Sequence, residues 1–228
     1  MQESILKLLF TGVVRLMSRI YERKDYYKNY LNEKGVDLNK HLDLTELRQH
    51  VQLDPEPFYN FADQYREESL QKYFKPRPFF NFDSMRQTVF LNDLGYNEQN
   101  TYEYNYGIQD KHNNMLKEML GDSAFEQLHI DKATAGIRLL EYTPGNGIPL
   151  HTDSYNAFKD KNKKETTVHR YFVAISPWSW GHFLQVHDNM ITHWTPGDVI
   201  EIPNDVFHLS ANFGIETKLT LTVTGYRL

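Results

Sequence analysis

Apolar residues near the start of the chain recur at steps of three and four: Ile5, Leu8, Leu9, Val13, Leu16, Met17 and Ile20. That spacing puts them on one stripe of an amphipathic helix running to about Leu31. The stripe is read as a packing face, with a dimer or membrane-surface contact as its other uses. From Asp43 to Leu91 the chain is aromatic and punctuated by proline. This predicts short helices over residues 45–53 and 57–74 and an extended segment at Pro76-Arg77-Pro78-Phe79-Phe80. A further helix is expected over residues 111–128.

After about Ala135 the period changes from helical to two. Residues 137–142, 168–175, 183–186, 198–202, 206–211 and 218–226 are short β-rich runs. Pro144-Gly145-Asn146-Gly147, Pro177, Pro196-Gly197 and Asn212-Phe213-Gly214 cut them apart. Short strands of this kind build a sandwich or barrel, and a mostly helical first part supplies a cover for one face. The expected fold is therefore α+β, a jelly-roll core buttressed by N-terminal helices. No repeat or Gly/Ser linker divides the chain. One domain is expected over residues 1–228, with 1–134 as a mostly helical buttress and substrate-side region and 135–228 as the catalytic core.

Composition narrows the function. The 228 residues include 14 Phe, 15 Tyr and 3 Trp, enough apolar area for a core. A net charge of −5 lacks the electropositive footprint of phosphate-backbone binding and argues against nucleic acid as a partner. The absence of cysteine removes disulfides, thiolate metal sites and thiol nucleophiles, so any metal must sit on His, Asp or Glu. Glu3, Lys7, Arg15 and Arg19 interrupt the first apolar stretch well short of a membrane span. Neither a basic n-region nor a small-residue cleavage site is present, and a soluble, cytoplasmic chain is expected.

Candidate chemistry lies in the β-rich part. Leu150-His151-Thr152-Asp153 sets an imidazole and a carboxylate two positions apart, which in extended chain point the same way. His208, 57 positions after His151 (208 − 151), lies in another β-rich run and offers a third ligand. Two His and one carboxylate on one face of an octahedron leave open positions, an arrangement that suits non-haem Fe(II). Ten residues further (218 − 208), Lys218 opens the strand Lys218-Leu219-Thr220-Leu221-Thr222-Val223-Thr224. By alternation Lys218, Thr220, Thr222 and Thr224 share one face. A polar face headed by a cation suits a pocket for a dicarboxylate, since Lys pairs with a carboxylate and a Thr hydroxyl hydrogen-bonds it. His169, His182, His187 and His193 lie near the same strands and are read as structural or solvated, though each is an alternative ligand. Residues 154–167 are read as a solvated connection, with a lid as the alternative.

These features together resemble the Fe(II)- and 2-oxoglutarate-dependent dioxygenases, the double-stranded β-helix oxygenases, in their prolyl-hydroxylase-like branch. The resemblance runs from about Ala135 to Tyr226. It rests on residues 138–147 leading into His151-Thr152-Asp153, then on Gly181-His182-Phe183-Leu184, Trp194-Thr195-Pro196-Gly197-Asp198 and Pro203-Asn204-Asp205-Val206-Phe207-His208 in that order. It implies Fe(II) ligation by His151, Asp153 and His208, with 2-oxoglutarate as cosubstrate and O2 as oxidant. It also implies that Lys218 pairs with the distal carboxylate of 2-oxoglutarate, with Thr220 as the accompanying hydroxyl. Most members with this architecture carry Arg at that position, so Arg138 and Arg170 stand as alternative anchors. Tyr142 is a candidate hydrogen-bond donor to 2-oxoglutarate or else a core tyrosine. The carboxylate at Asp153 favours hydroxylation over halogenation. The implied activity is hydroxylation of a C–H bond of an amino-acid residue in a peptide or protein, with succinate and CO2 as coproducts. A free amino acid or other small metabolite is the alternative substrate, and a non-catalytic, cupin-like metal-binding jelly roll is the alternative function. A serine or zinc hydrolase is set aside for want of GxSxG and His-Glu-x-x-His motifs.

Overall fold

A computed structural model of the chain describes residues 42–45, 48–72, 97, 99–153, 168–204 and 206–228. The expected first helix, the extended segment at residues 76–80 and the loop 154–167 lie outside the described residues. Numbered over these residues, the elements begin with β1 (Arg48–His50), α1 (Glu56–Tyr65), β2 (Leu70–Lys72), β3 (Tyr102–Tyr106), α2 (Asp110–Leu120) and α3 (Asp122–Gln127). They continue with β4 (Gly136–Tyr142), β5 (Asn146–His151), β6 (Val168–Ala174), β7 (His182–Val186) and β8 (Asn189–Ile191). The last three are β9 (Asp198–Glu201), β10 (His208–Asn212) and β11 (Lys218–Tyr226).

The strands form two antiparallel sheets, one in the order β1-β9-β6-β11-β4-β3-β2 and the other β5-β10-β7-β8. From β4 onward the chain passes repeatedly between them. Strands β4, β6, β9 and β11 fall in the larger sheet and β5, β7, β8 and β10 in the smaller one. Four strands in each of two facing sheets, wound alternately, make a jelly roll, the double-stranded β-helix.

The expected β-rich runs all become strands, shifted by one or two residues at their ends. The segment before them departs further from its helical reading. Within the span 45–53, Arg48–His50 is a strand rather than helix, because it pairs with β9 along the sheet edge. The helix expected over 57–74 stops at Tyr65, whose carbonyl accepts the Ser69 hydroxyl at 2.8 Å, and Leu70–Lys72 pairs with β3. Residues 111–128 form two helices rather than one, because Gly121 adopts φ +81 between them.

Alternation on β11 sorts the core into two clusters. Leu219, Leu221 and Val223 join Leu139 under Phe58 of α1 and Leu116 of α2 on the outer face of the larger sheet. Phe172, Ala174 and Ile200 meet Leu184, Val186 and Ile191 between the sheets. Helices α1–α3 therefore buttress one face, and the inner face is left to the roll. Among the described residues no helix is long and apolar enough to cross a membrane.

Candidate metal centre

Strand β5 ends on His151, and antiparallel pairing sets it opposite His208 at the start of β10. The register shifts between His208 and Ser210, a bulge of the kind that re-aims a side chain. The two imidazoles lie with ring centroids 4.4 Å apart. Asp153, two residues past His151, completes the group. Its Oδ2 is 3.2 Å from His208 Nε2, and its Oδ1 is 3.9 Å from His151 Nε2. One ligand atom from each residue lies within 4.8 Å of the others. His208 is buried, and its Nδ1 donates to the Val206 carbonyl at 3.0 Å. That bond places the proton on Nδ1 and turns Nε2 toward the other two residues, leaving that nitrogen able to bind a metal.

Burial alone would raise the Asp153 pKa. The hydrogen bond to His208 and the charges of Arg170, His208 and His151 outweigh it and hold the carboxyl well below the usual carboxylate range. Arg170, on β6, contacts Oδ2 through Nη1, and its Nε donates to Thr224 Oγ1 at 3.1 Å. The three groups bring two imidazoles and a carboxylate within reach of one another, and together they can hold a divalent ion.

Lys218 is fully buried at the start of β11, with Tyr142 as its cross-strand partner on β4. Its ammonium reaches the smaller sheet, donating to the Phe183 carbonyl and, at 2.8 Å, to Ser210 Oγ. The rings of Tyr142, Trp194 and Phe172 surround it at 5.2, 5.3 and 5.7 Å. Desolvation lowers its pKa to about 7, against an upward pull from Glu103. Thr220 follows on the same face, and its Oγ1 is buried with no hydrogen-bond partner. Ser210 is two residues from His208 on β10, so the metal cluster and the ammonium face the same space between the sheets.

The alternative anchors are placed elsewhere. Arg138 is exposed on β4 opposite Thr222, and Arg170 is engaged with Asp153. The other histidines have separate partners: His169 with Glu201 at 2.6 Å, His182 with the Glu216 carbonyl at 2.9 Å, His187 with Asp188, and His193 stacked on Trp178.

Three contributors were missed in the sequence. Ser210 is one, although alternation from His208 points to it. Glu103 and Asn105 are the others; they are buried on β3 and alternate with Tyr104 and Tyr106, which face the helices. Tyr-x-Tyr-x-Tyr over residues 102–106 carries a period-two signal that an aromatic-rich region obscures.

No known family model matches the sequence, and no curated protein does. Among solved structures the chain is similar to the plu4264 protein of Photorhabdus luminescens, at 17% identity over 40% of this chain and 62% of that one, with a TM-score of 0.30. The cupin domain of Cnp3 from Schizosaccharomyces pombe matches at 11% identity over 42% and 55% of the two chains, TM-score 0.31. A predicted oxalate decarboxylase from Thermotoga maritima matches at 15% identity over 46% and 74%, TM-score 0.31. This chain spans less than two thirds of the length of the first two proteins. Similarities of this size assign no family, and the jelly roll stands on its strand order.

Proposed function

We propose that the protein is an Fe(II)- and 2-oxoglutarate-dependent oxygenase that hydroxylates a C–H bond of an amino-acid residue in a peptide or protein. The observation that carries this reading is Lys218. A cation taken fully out of water is unfavourable unless it meets an anion, and here its hydrogen bonds go to neutral oxygens. A carboxylate arriving beside Thr220 would meet both the ammonium and an unpartnered hydroxyl.

The donor set fits the group it would hold. His151, Asp153 and His208 would ligate Fe(II), and Lys218 and Thr220 would take the distal carboxylate of 2-oxoglutarate. When bound, the iron and 2-oxoglutarate supply the activation of O2, with oxidative decarboxylation to succinate and CO2 and transfer of one oxygen atom into a C–H bond. The chain's own work is geometric and electrostatic. The β5–β10 pairing fixes the spacing of the two imidazoles, and the Val206 carbonyl fixes the tautomer of His208. Trp194, Phe172 and Tyr142 keep water from Lys218, which strengthens its hold on an anion.

The test is anaerobic titration of the Fe(II)-loaded protein with 2-oxoglutarate, read by the visible charge-transfer band of the chelate. A saturable band that disappears in His208→Ala is expected. No band in protein that retains iron would overturn the reading. Succinate release on a panel of peptides set against free amino acids then tests the substrate class, and turnover on free amino acids alone would refute the peptide assignment.

A further inference from the structure

The carboxylate of Asp153 has two oxygens, and a carboxylate can bind a metal ion through one of them or through both. The backbone does little to choose between these modes, because Asp153 lies past the end of β5 rather than within the strand. The choice falls to its neighbours. Arg170 comes from a different strand, β6, and stands opposite Thr224 on β11 in the register of the larger sheet. Thr224 is buried and its hydroxyl accepts a hydrogen bond from the guanidinium Nε at 3.1 Å, so one edge of the fork is fixed by the sheet and Nη1 is aimed at Oδ2 of Asp153. Oδ1 lies 3.9 Å from His151 Nε2, and Oδ2, besides the guanidinium, has His208 Nε2 at 3.2 Å.

We infer that Arg170 is a positioning residue for the metal centre: anchored on Thr224, its guanidinium occupies Oδ2 of Asp153 and restricts that carboxylate to ligation through one oxygen. The inference rests on reading His151, Asp153 and His208 as a metal site. Two nitrogens and one oxygen leave three of the six positions of an octahedral ion to outside ligands. Ligation through both carboxylate oxygens leaves two, and a chelating 2-oxo acid alone fills those. Arg suits this task better than Lys, since its planar fork bonds Thr224 and Asp153 at once and stays charged at every working pH.

The test counts water molecules on Mn(II) bound to the full chain, by water-proton relaxation. Three exchangeable waters are expected in the wild type and two in Arg170→Gln, where the freed Oδ2 turns to the ion. Arg170→Lys restores one N–H to Oδ2 and is expected to return the count toward three. Thr224→Val leaves the guanidinium in place without its anchor and guards against misfolding of the Arg170 variant; its count is expected to fall between two and three. A count of three in both Arg170→Gln and Thr224→Val overturns the inference. Wild-type protein that takes up no Mn(II) overturns the metal reading and this inference with it. Adding 2-oxoglutarate to the wild type tests the cosubstrate separately: a count falling to one supports it, and a count unchanged at three refutes it while the Arg170→Gln comparison still stands.

Discussion

Replacing Lys218 with methionine removes a buried cation and leaves an unbranched apolar side chain one atom shorter. Desolvation sets the ammonium pKa at about 7 instead of 10.5, with Glu103 pulling the other way. The gap, 10.5 − 7 = 3.5, opposes folding with the charged form by on the order of 5 kcal/mol, at roughly 1.4 kcal/mol for each pH unit. The folded pKa is the lower one, so between about pH 7 and 10.5 the folded state holds fewer protons than the unfolded chain. The penalty is therefore complete below pH 7 and fades as pH rises to 10.5. Methionine escapes it but leaves the Phe183 carbonyl and the Ser210 hydroxyl without their donor, at ~1–3 kcal/mol each. Lys218→Met is expected to lose about 4 kcal/mol of stability relative to the wild type between pH 6 and pH 10, starting from a difference of roughly −1 to +3 kcal/mol at pH 6. Urea unfolding followed by tryptophan fluorescence at pH 6, 8 and 10 measures the difference, and contributions from groups that do not interact with Lys218 cancel in it. A difference that does not change with pH would refute the assignment of Lys218 as a desolvated cation. The same variant is expected to bind 2-oxoglutarate at least about tenfold more weakly, because it loses a charge-assisted hydrogen bond.

Alanine at His151 or Asp153 is expected to abolish Fe(II)-dependent succinate release with the fold retained, checked by circular dichroism; full turnover in either variant would defeat the ligand assignment. Thr220→Val removes a hydroxyl that has no partner in the protein. Urea titration is expected to show it no less stable than the wild type, whereas 2-oxoglutarate binding weakens by about tenfold, the share of one hydrogen bond. Tyr106→Phe deletes the 2.6 Å bond from the phenol to Glu141 Oε2 on the helix-facing side of the sheet. It is expected to lower stability by about 1.5–3 kcal/mol, as for a bond to a charged group, and to leave the 2-oxoglutarate Kd unchanged. A shifted Kd would show that the two faces of the sheet are coupled.

What was legible in the sequence depended on local period. β11 declares both of its faces through Lys-Leu-Thr-Leu-Thr-Val-Thr, and the structure puts the leucines under the helices and the polar residues between the sheets. The spacing of His151 and Asp153 is equally local, and the distance to His208 is settled by one strand pairing. Long-range pairing was not legible. Arg48–His50 is a strand only because β9 offers an edge, and nothing in its own residues announces that. Arg170 was placed on the right strand, but its partner is a carboxylate 17 positions earlier that reaches it from the other sheet. Its engagement with Asp153 follows from the winding of the roll, which composition and spacing do not encode.

The two faces of the larger sheet differ in how well their polar groups are matched. On the helix-facing side Leu139, Leu219, Leu221 and Val223 are fully or almost fully buried, and the polar groups there are matched, as Glu141 is by Tyr106 and Arg66. On the inner side the same strands carry a desolvated ammonium at Lys218 and partnerless oxygens at Thr220 Oγ1 and Asn105 Oδ1. Each such oxygen opposes folding by ~1–3 kcal/mol, so an inner face built for stability alone would be apolar there, as it is at Phe172 and Leu184. The unfavourable groups cluster on the stretch between Lys218 and the His151, Asp153 and His208 group. Hydrophobic burial under α1–α3 offsets them, and this lets the inner face keep polar groups that its own packing does not match.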